Sequence, residues 1–291
     1  MTYDITTKTA PAMPKLGKGL DFVKLVLSQV SPDMREPIAP TLFDAAAAHI
    51  SATEFLYPDQ SWKELCGMID ALSAGSAGGK GQLQGYVEAM MRFARKHDEV
   101  ELQKLVEWQR NMKSKGANKE KPIRPDVSFW FPPSDVTNAA FIQNAMACEQ
   151  GNAHTQYYNM PEVEMADKIC GGHKQVTQTI RNIYDKARAG ALRATAEGVT
   201  GNPVLRVNMN ISCTPGEARN FFKRDLFNGT LGRVAFSYKA RGNRDGHIPR
   251  QGEYDEDFLK KLDAYIVRLQ ACKGRHVVKP LNKLADRLAL D

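Results

Sequence analysis

The segment Ser73-Ala74-Gly75-Ser76-Ala77-Gly78-Gly79-Lys80-Gly81-Gln82 constrains the fold of this chain more than any other. It follows a short apolar run, Leu65-Cys66-Gly67-Met68-Ile69-Asp70-Ala71-Leu72, which predicts a buried strand with Asp70 out of place in it. Helical periodicity begins after it, at Leu83. A strand, a turn of small residues and a helix let the N–H groups of the turn converge on one point. A Gly-Lys pair at the helix start adds a cation there, so the arrangement suits a phosphate. Against the spacing G-x-x-x-x-G-K-[ST], Ala74 replaces the first glycine. Gly81 replaces the hydroxyl residue that normally helps to hold Mg²⁺. A flexible glycine linker is the other reading of the segment taken alone. Gly17-Lys18 repeats the pair without a glycine-rich lead or a preceding strand.

The rest of the chain alternates strand and helix signals. Asp21 is placed to cap a helix carrying Phe22, Leu25, Val26 and Val30, and Ala45–Ile50 predicts a second one. From Tyr86 to Met112 the sequence is highly charged with spaced apolar residues, which predicts one or two long, partly exposed helices. They end in a basic loop that Pro122 and Pro125 keep from continuing as helix. Val127–Phe131 (VSFWF) predicts a strand, Ser134–Glu149 a capped helix and His154–Met160 another strand. Ile169–Ala189 reads as helix, Val204–Ile211 as an alternating strand broken at Thr214-Pro215, and Glu217–Phe227 as a short helix. Arg233–Tyr238 and Glu256–Leu269 complete the pattern as a strand and an amphipathic helix. Such alternation predicts a mainly parallel sheet flanked by helices.

With 291 residues, 42% hydrophobic and 25% charged, the chain is neither collagen-like, low-complexity nor wholly disordered, and it is long enough to bury a core. The expected organisation is a polar lead and helical N-terminal segment over 1–63, a core over 64–250 with a charged helical insertion at about 86–126, and a C-terminal helical segment over 251–291. No run approaches the roughly 18–20 apolar residues of a membrane span, and the first residues lack the apolar stretch of a secretory signal. Five cysteines stand far apart with no C-x-x-C, which suits a reducing, cytoplasmic setting.

The net charge of +7 is regional. Residues 113–124, 239–250 and 260–291 hold 5, 4 and 8 basic against 1, 1 and 3 acidic residues, and the remainder of the chain is net acidic. Such concentration suits a polyanionic partner, with solvated surface as the plainer alternative for each stretch.

Three predicted strands end in polar groups. A site that hydrolyses a nucleotide needs a carboxylate at a strand tip to orient the attacking water, and Glu162 or Glu164 in Pro161-Glu162-Val163-Glu164 has that position. Ser212-Cys213-Thr214-Pro215 follows another strand. Ligands of open α/β sheets collect outside such carboxyl ends. In Asn228-Gly229-Thr230-Leu231-Gly232-Arg233 an arginine stands just before a strand, where it can reach a phosphate of a neighbouring subunit. Cys170-Gly-Gly-His173 has ligand spacing but no second pair to complete a zinc site.

In this order the motifs resemble the helicase-like P-loop family encoded by bacterial mobile elements and phages, often attached to primase or virulence-associated regions. The residues that carry the resemblance are Ala74–Gly81, SDVTNAA (Ser134–Ala140), Glu162 and Glu164, SCTP (Ser212–Pro215) and NGTLGRV (Asn228–Val234), across roughly residues 15–270. It implies a P-loop NTPase of RecA/AAA-like fold, using ATP and Mg²⁺ and acting on DNA, expected as a single strand. A primase or other replication protein and further copies of the chain are the implied partners. By the same resemblance Lys80 binds phosphate within the loop Ala74, Gly75, Ser76, Ala77, Gly78, Gly79, Gly81 and Gln82. Glu162 is then the catalytic carboxylate, Thr214 the γ-phosphate sensor and Arg233 an arginine finger. Relatives commonly have glycine after the lysine. Thr230 departs from their Asn-Gly-Leu run, and Pro161 stands where many P-loop ATPases carry a metal-orienting Asp. With two Mg²⁺ supports absent, a non-hydrolysing scaffold for DNA or protein partners is an alternative, and a small-molecule kinase a third.

Overall fold

The computed structural model describes residues 20–114, 122–171, 176–190, 199–223, 229–240 and 254–288. The polar lead, most of the basic stretches 113–124 and 239–250, His173 and Asn228 lie outside these residues.

The chain opens with α1 (Asp21–Ser28), a 3-10 turn at Pro32–Met34, α2 (Arg35–Ile38) and α3 (Leu42–Ala47). Two short strands, β1 (Thr53–Leu56) and β2 (Trp62–Glu64), precede β3 (Ile69–Ala74) and the glycine-rich loop. Next come α4 (Gly81–Met90), α5 (Arg92–Ser114), α6 (Asn138–Gln150), β4 (Gln156–Met160), α7 (Val163–Cys170) and α8 (Val176–Tyr184). The order closes with β5 (Val207–Cys213), α9 (Pro215–Phe222), β6 (Ala235–Lys239), α10 (Glu256–Ala271), β7 (Gly274–His276) and α11 (Lys279–Leu288).

Four parallel strands form one sheet in the order β4-β5-β3-β6, and helices cover both faces. One face packs Leu72 and Tyr157 under Leu27, Leu42, Tyr86 and Ile266, from helices at both ends of the chain. The other packs Ile69, Met209 and Ile211 under Phe141, Ile169 and Ile180. A separate three-stranded sheet has β1 at its centre, antiparallel to β2 and parallel to β7. Its strands are too short to carry a period, and nothing in the sequence announces them.

The Val127–Phe131 strand does not form. Its backbone donors go to side chains instead: the N–H groups of Trp130 and Phe131 donate to the Asp98 carboxylate at 2.8 and 2.7 Å, and that of Phe129 to Asn144 Oδ1 at 2.7 Å. With those donors taken, only Trp130 O meets β4, accepting from Tyr157 N–H. Asp21 lies in the first turn of α1 and makes no capping bond. The helix expected from Ser134 starts after Thr137, whose hydroxyl accepts from Ala140 N–H.

The alternation in Val207-Asn208-Met209-Asn210-Ile211-Ser212-Cys213 has an unexpected meaning. Every residue of β5 is buried, so the polar set faces a second buried layer rather than water. Asn208 there donates to Asp44 O at 2.8 Å, and Ser212 Oγ donates to Asn210 Oδ1 at 3.3 Å.

Candidate functional site

The glycine-rich loop leaves the carboxyl end of β3, flanked by β5 and β6, and feeds directly into α4. Gly78 N–H donates to Gly75 O at 3.0 Å, closing the turn. A side chain at Gly78 would put its Cβ 2.8 Å from Gly75 O, and Gly79 has φ +91, so glycine is required at both places. Ala77 has φ +57, a left-handed backbone that glycine adopts more readily. Lys80 stands at the helix N-cap, and no side chain caps the first turn of α4. The Nζ of Lys80 donates to Cys213 O at 3.1 Å, across the end of the neighbouring strand. A concave backbone, a bare helix N-terminus and an amine therefore meet at one edge of the sheet, which is the chemistry of an anion site.

The segment before the sheet braces this loop. Gln82 Oε1 accepts from Ser31 N–H at 2.9 Å and Gln82 Nε2 donates to Ser31 Oγ at 2.7 Å. Met34 Sδ lies 3.4 Å from where a Cβ on Gly79 would stand. Asp33 pairs with Lys239, which is the register partner of Ala74 on β6. Sequence reasoning missed this bracing, because Ser31 stands 51 residues from Gln82 and Asp33 stands 206 from Lys239, and each segment is locally ordinary.

Thr214 caps α9 in a reciprocal capping box with Glu217. Its N–H donates to Glu217 Oε2 at 2.7 Å, and its hydroxyl accepts from Glu217 N–H at 3.4 Å. The bond from the Thr214 N–H holds the Glu217 carboxyl below its ordinary range. The Thr214 hydroxyl also hydrogen-bonds the Glu217 carboxyl, beside the end of β5 that Lys80 contacts.

A cleft of about 480 Å³ opens from Lys80 and Gly81 toward β4, floored by Asn159, Pro161 and Ser212. Asn159, buried in β4, donates to Gln84 of α4 across it. Glu162 and Glu164 follow β4 on the same edge, both exposed; Glu162 precedes the first turn of α7 and makes no capping bond. Neither glutamate lines the cleft; Pro161 does.

Arg233 is placed elsewhere. It ends a 3-10 turn ahead of β6, where Ala235 pairs with Asp70 near the start of β3. Its guanidinium donates to Gly229 O at 3.0 Å, pairs with Asp185 at 3.3 Å and lies over the Tyr184 ring. The structure thus brings together residues 74–82, Ser212 and Thr214, sets Glu162 and Glu164 at the same edge, and puts Arg233 at the opposite edge.

Asp70 answers the anomaly in the β3 sequence. It is buried against Asp44, and burial raises its carboxyl to about 7. Burial and the charge of Asp70 raise Asp44 well above the usual carboxylate range. The two carboxyls hydrogen-bond, so one must carry the proton.

Among the described residues no group of three His, Cys, Asp or Glu is placed to hold a metal ion. No described helix is long and apolar enough to cross a membrane. No family model matches the chain, and no curated protein matches it.

Proposed function

We propose that this chain is an ATP-binding P-loop protein, a helicase-like ATPase that acts on DNA in the replication or transfer of a mobile element. The observation that carries the reading is the Gly75–Lys80 turn. It joins a central parallel strand to an uncapped helix, with Gly78 and Gly79 in places where only glycine fits and Lys80 reaching the next strand. The loop would hold the phosphates through its N–H groups, and Lys80 would supply the positive charge. Thr214 can turn its hydroxyl proton from Glu217 to the terminal phosphate, and Glu162, free in solvent beside β4, can orient water if the edge closes over a bound nucleotide. ATP supplies the phosphoryl bond that such an enzyme breaks. The residues fit phosphate better than they fit Mg²⁺, since Gly81 carries no hydroxyl and Pro161 no carboxylate.

That mismatch favours a second reading, a scaffold that binds nucleotide without turnover. Measuring ATP binding and hydrolysis with and without single-stranded DNA, on wild type and Lys80→Ala, separates the two. Turnover that is stimulated by DNA and lost in Lys80→Ala is expected from the ATPase. Binding without turnover favours the scaffold, and turnover indifferent to Lys80→Ala overturns the loop assignment.

A further inference from the structure

The cleft beside Lys80 is far larger than hydrolysis requires. A water molecule occupies about 30 Å³ of liquid, against a cleft of about 480 Å³. From Lys80 to Glu88 its α4 wall spans about 12 Å at the helical rise. At the far end stand Glu88, Arg95, Phe131 and Pro132.

The chemistry of that far end is specific. Glu88 accepts from Arg95 Nε at 2.9 Å and from Nη2 at 2.7 Å, so charge is balanced there. The Arg95 guanidinium also lies over the Phe131 ring, 4.5 Å from its centroid, which fixes its orientation. Both charged side chains are more than a third exposed, so the pair offers an acceptor and several donors to an incoming group. Pro132, itself largely buried, backs that end as an apolar wall without an N–H to satisfy. Between the far wall and Lys80 lie the amides of Gln84 and Asn159.

A free phosphate would prefer Lys80 to the compensated Arg95 of the far end, and an aliphatic ligand would strand the polar rim there. A planar heterocycle with donors and acceptors on one edge satisfies both the apolar wall and the Glu88–Arg95 pair. We propose that the far part of this cleft, beyond the Lys80 and Gly81 that it shares with the phosphate loop, is a second nucleotide site. In it a nucleobase sits against Arg95, Phe131 and Pro132, reads the Glu88–Arg95 pair, and directs its sugar toward Lys80. Only the direction of the sugar rests on the assignment of the loop to ATP. The shared ligand chemistry is a nucleotide, whether free or as a unit of a single strand.

Equilibrium binding to the full chain tests it, using the four deoxynucleoside monophosphates and a mixed-sequence ten-nucleotide single strand, each with and without a non-hydrolysable ATP analogue. At least one of these probes is expected to bind wild type, and Arg95→Ala to weaken it by tenfold or more, with the ATP analogue affected less than twofold. Glu88→Gln, which keeps the shape of the pair, is expected to change the order of preference among the bases. Binding of monophosphates identifies a free nucleotide as the ligand, and Arg95-dependent binding of the strand alone identifies a strand unit. No binding by any probe, or binding that survives Arg95→Ala, overturns the proposal. Lys80→Ala measured in the same series reports on the loop separately: if the analogue still binds, the loop assignment fails while the result for the cleft stands. Matching thermal melts of Arg95→Ala and wild type keep a folding defect from imitating loss of the site.

Discussion

Gly81 is the first residue of α4, and a Cβ built there meets nothing within 4 Å. The glycine is therefore not required for packing, unlike Gly78 and Gly79. A serine fits that space and returns the hydroxyl that Mg²⁺ normally uses beside a phosphate-loop lysine. Gly81→Ser is expected to leave thermal stability close to wild type and to raise Mg²⁺-dependent ATP affinity or turnover several-fold, read by titrating Mg²⁺ at fixed nucleotide. An unchanged Mg²⁺ response would remove the loop's hydroxyl position from any metal role. Asp70 makes an independent prediction. Its folded carboxyl titrates at about 7, above the ordinary carboxylate value of about 4 in the unfolded chain. Between those values the native state holds more protons, so Asp70 makes stability fall as pH rises from about 4 to about 7, and Asp44, raised as well, adds to the fall. Asp70→Asn is expected to reduce that slope, leaving the part that burial of Asp44 supplies, and to add on the order of 1–3 kcal/mol at pH 8, measured by urea unfolding across pH. A slope unchanged in Asp70→Asn would assign it to other groups.

At the scale of elements, the structure shows what local sequence can and cannot announce. The β3–loop–α4 unit was legible because its signal is contiguous: an apolar run, glycines at forced positions, then a helical period. The same holds for β4, for β5, and for α10 with its Asp255 cap, which accepts from Phe258 N–H at 2.7 Å. Val127–Phe131 misled because β-propensity describes side chains suited to a pleated surface and says nothing about where the backbone donors go. Here they go to Asp98 on α5 and Asn144 on α6, partners that only the folded chain supplies. The cleft was illegible for a related reason, since Arg95, Phe131 and Asn159 come from three elements and none carries a motif. Asp98 is buried and accepts two backbone N–H bonds, so its removal leaves two donors without partners. Asp98→Ala is expected to cost on the order of 2–4 kcal/mol, and Asp98→Asn clearly less because one acceptor oxygen survives. Urea unfolding followed by tryptophan fluorescence reads the difference, since Trp130 lies in the anchored segment. Equal losses in the two variants would show that the negative charge, not the acceptor, holds the segment.

For the whole molecule, the deciding geometry is the separation of Lys80 from Arg233. Strand β6 runs parallel to β3 with Ala235 opposite Asp70 and Lys239 opposite Ala74, so Arg233 precedes the start of β6 while Lys80 lies past the end of β3. Six residues of strand separate Arg233 from Lys239, about 20 Å, and an arginine cannot span that to serve its own loop. If Arg233 acts on a phosphate, it acts on a neighbour's, through a head-to-tail contact that repeats around a ring or along a filament. Among the described residues the edge beside it is open to such a contact: β6 is the outer strand, with Phe236 and Tyr238 half or more exposed. Docking must also draw Arg233 away from Asp185, with which it pairs at 3.3 Å, and a polyphosphate is the stronger acceptor. Mixing Arg233→Ala with Lys80→Ala subunits therefore has a defined outcome. A working site needs its loop from the first variant and its arginine from the second, so an equal mixture is expected to recover about a quarter of wild-type sites in a head-to-tail assembly. Each variant alone is expected to be inactive. Recovery is read as ATP turnover after co-refolding, with light scattering to establish that mixed assemblies form. Mixed assemblies without recovery would confine Arg233 to its pairing with Asp185 and Tyr184.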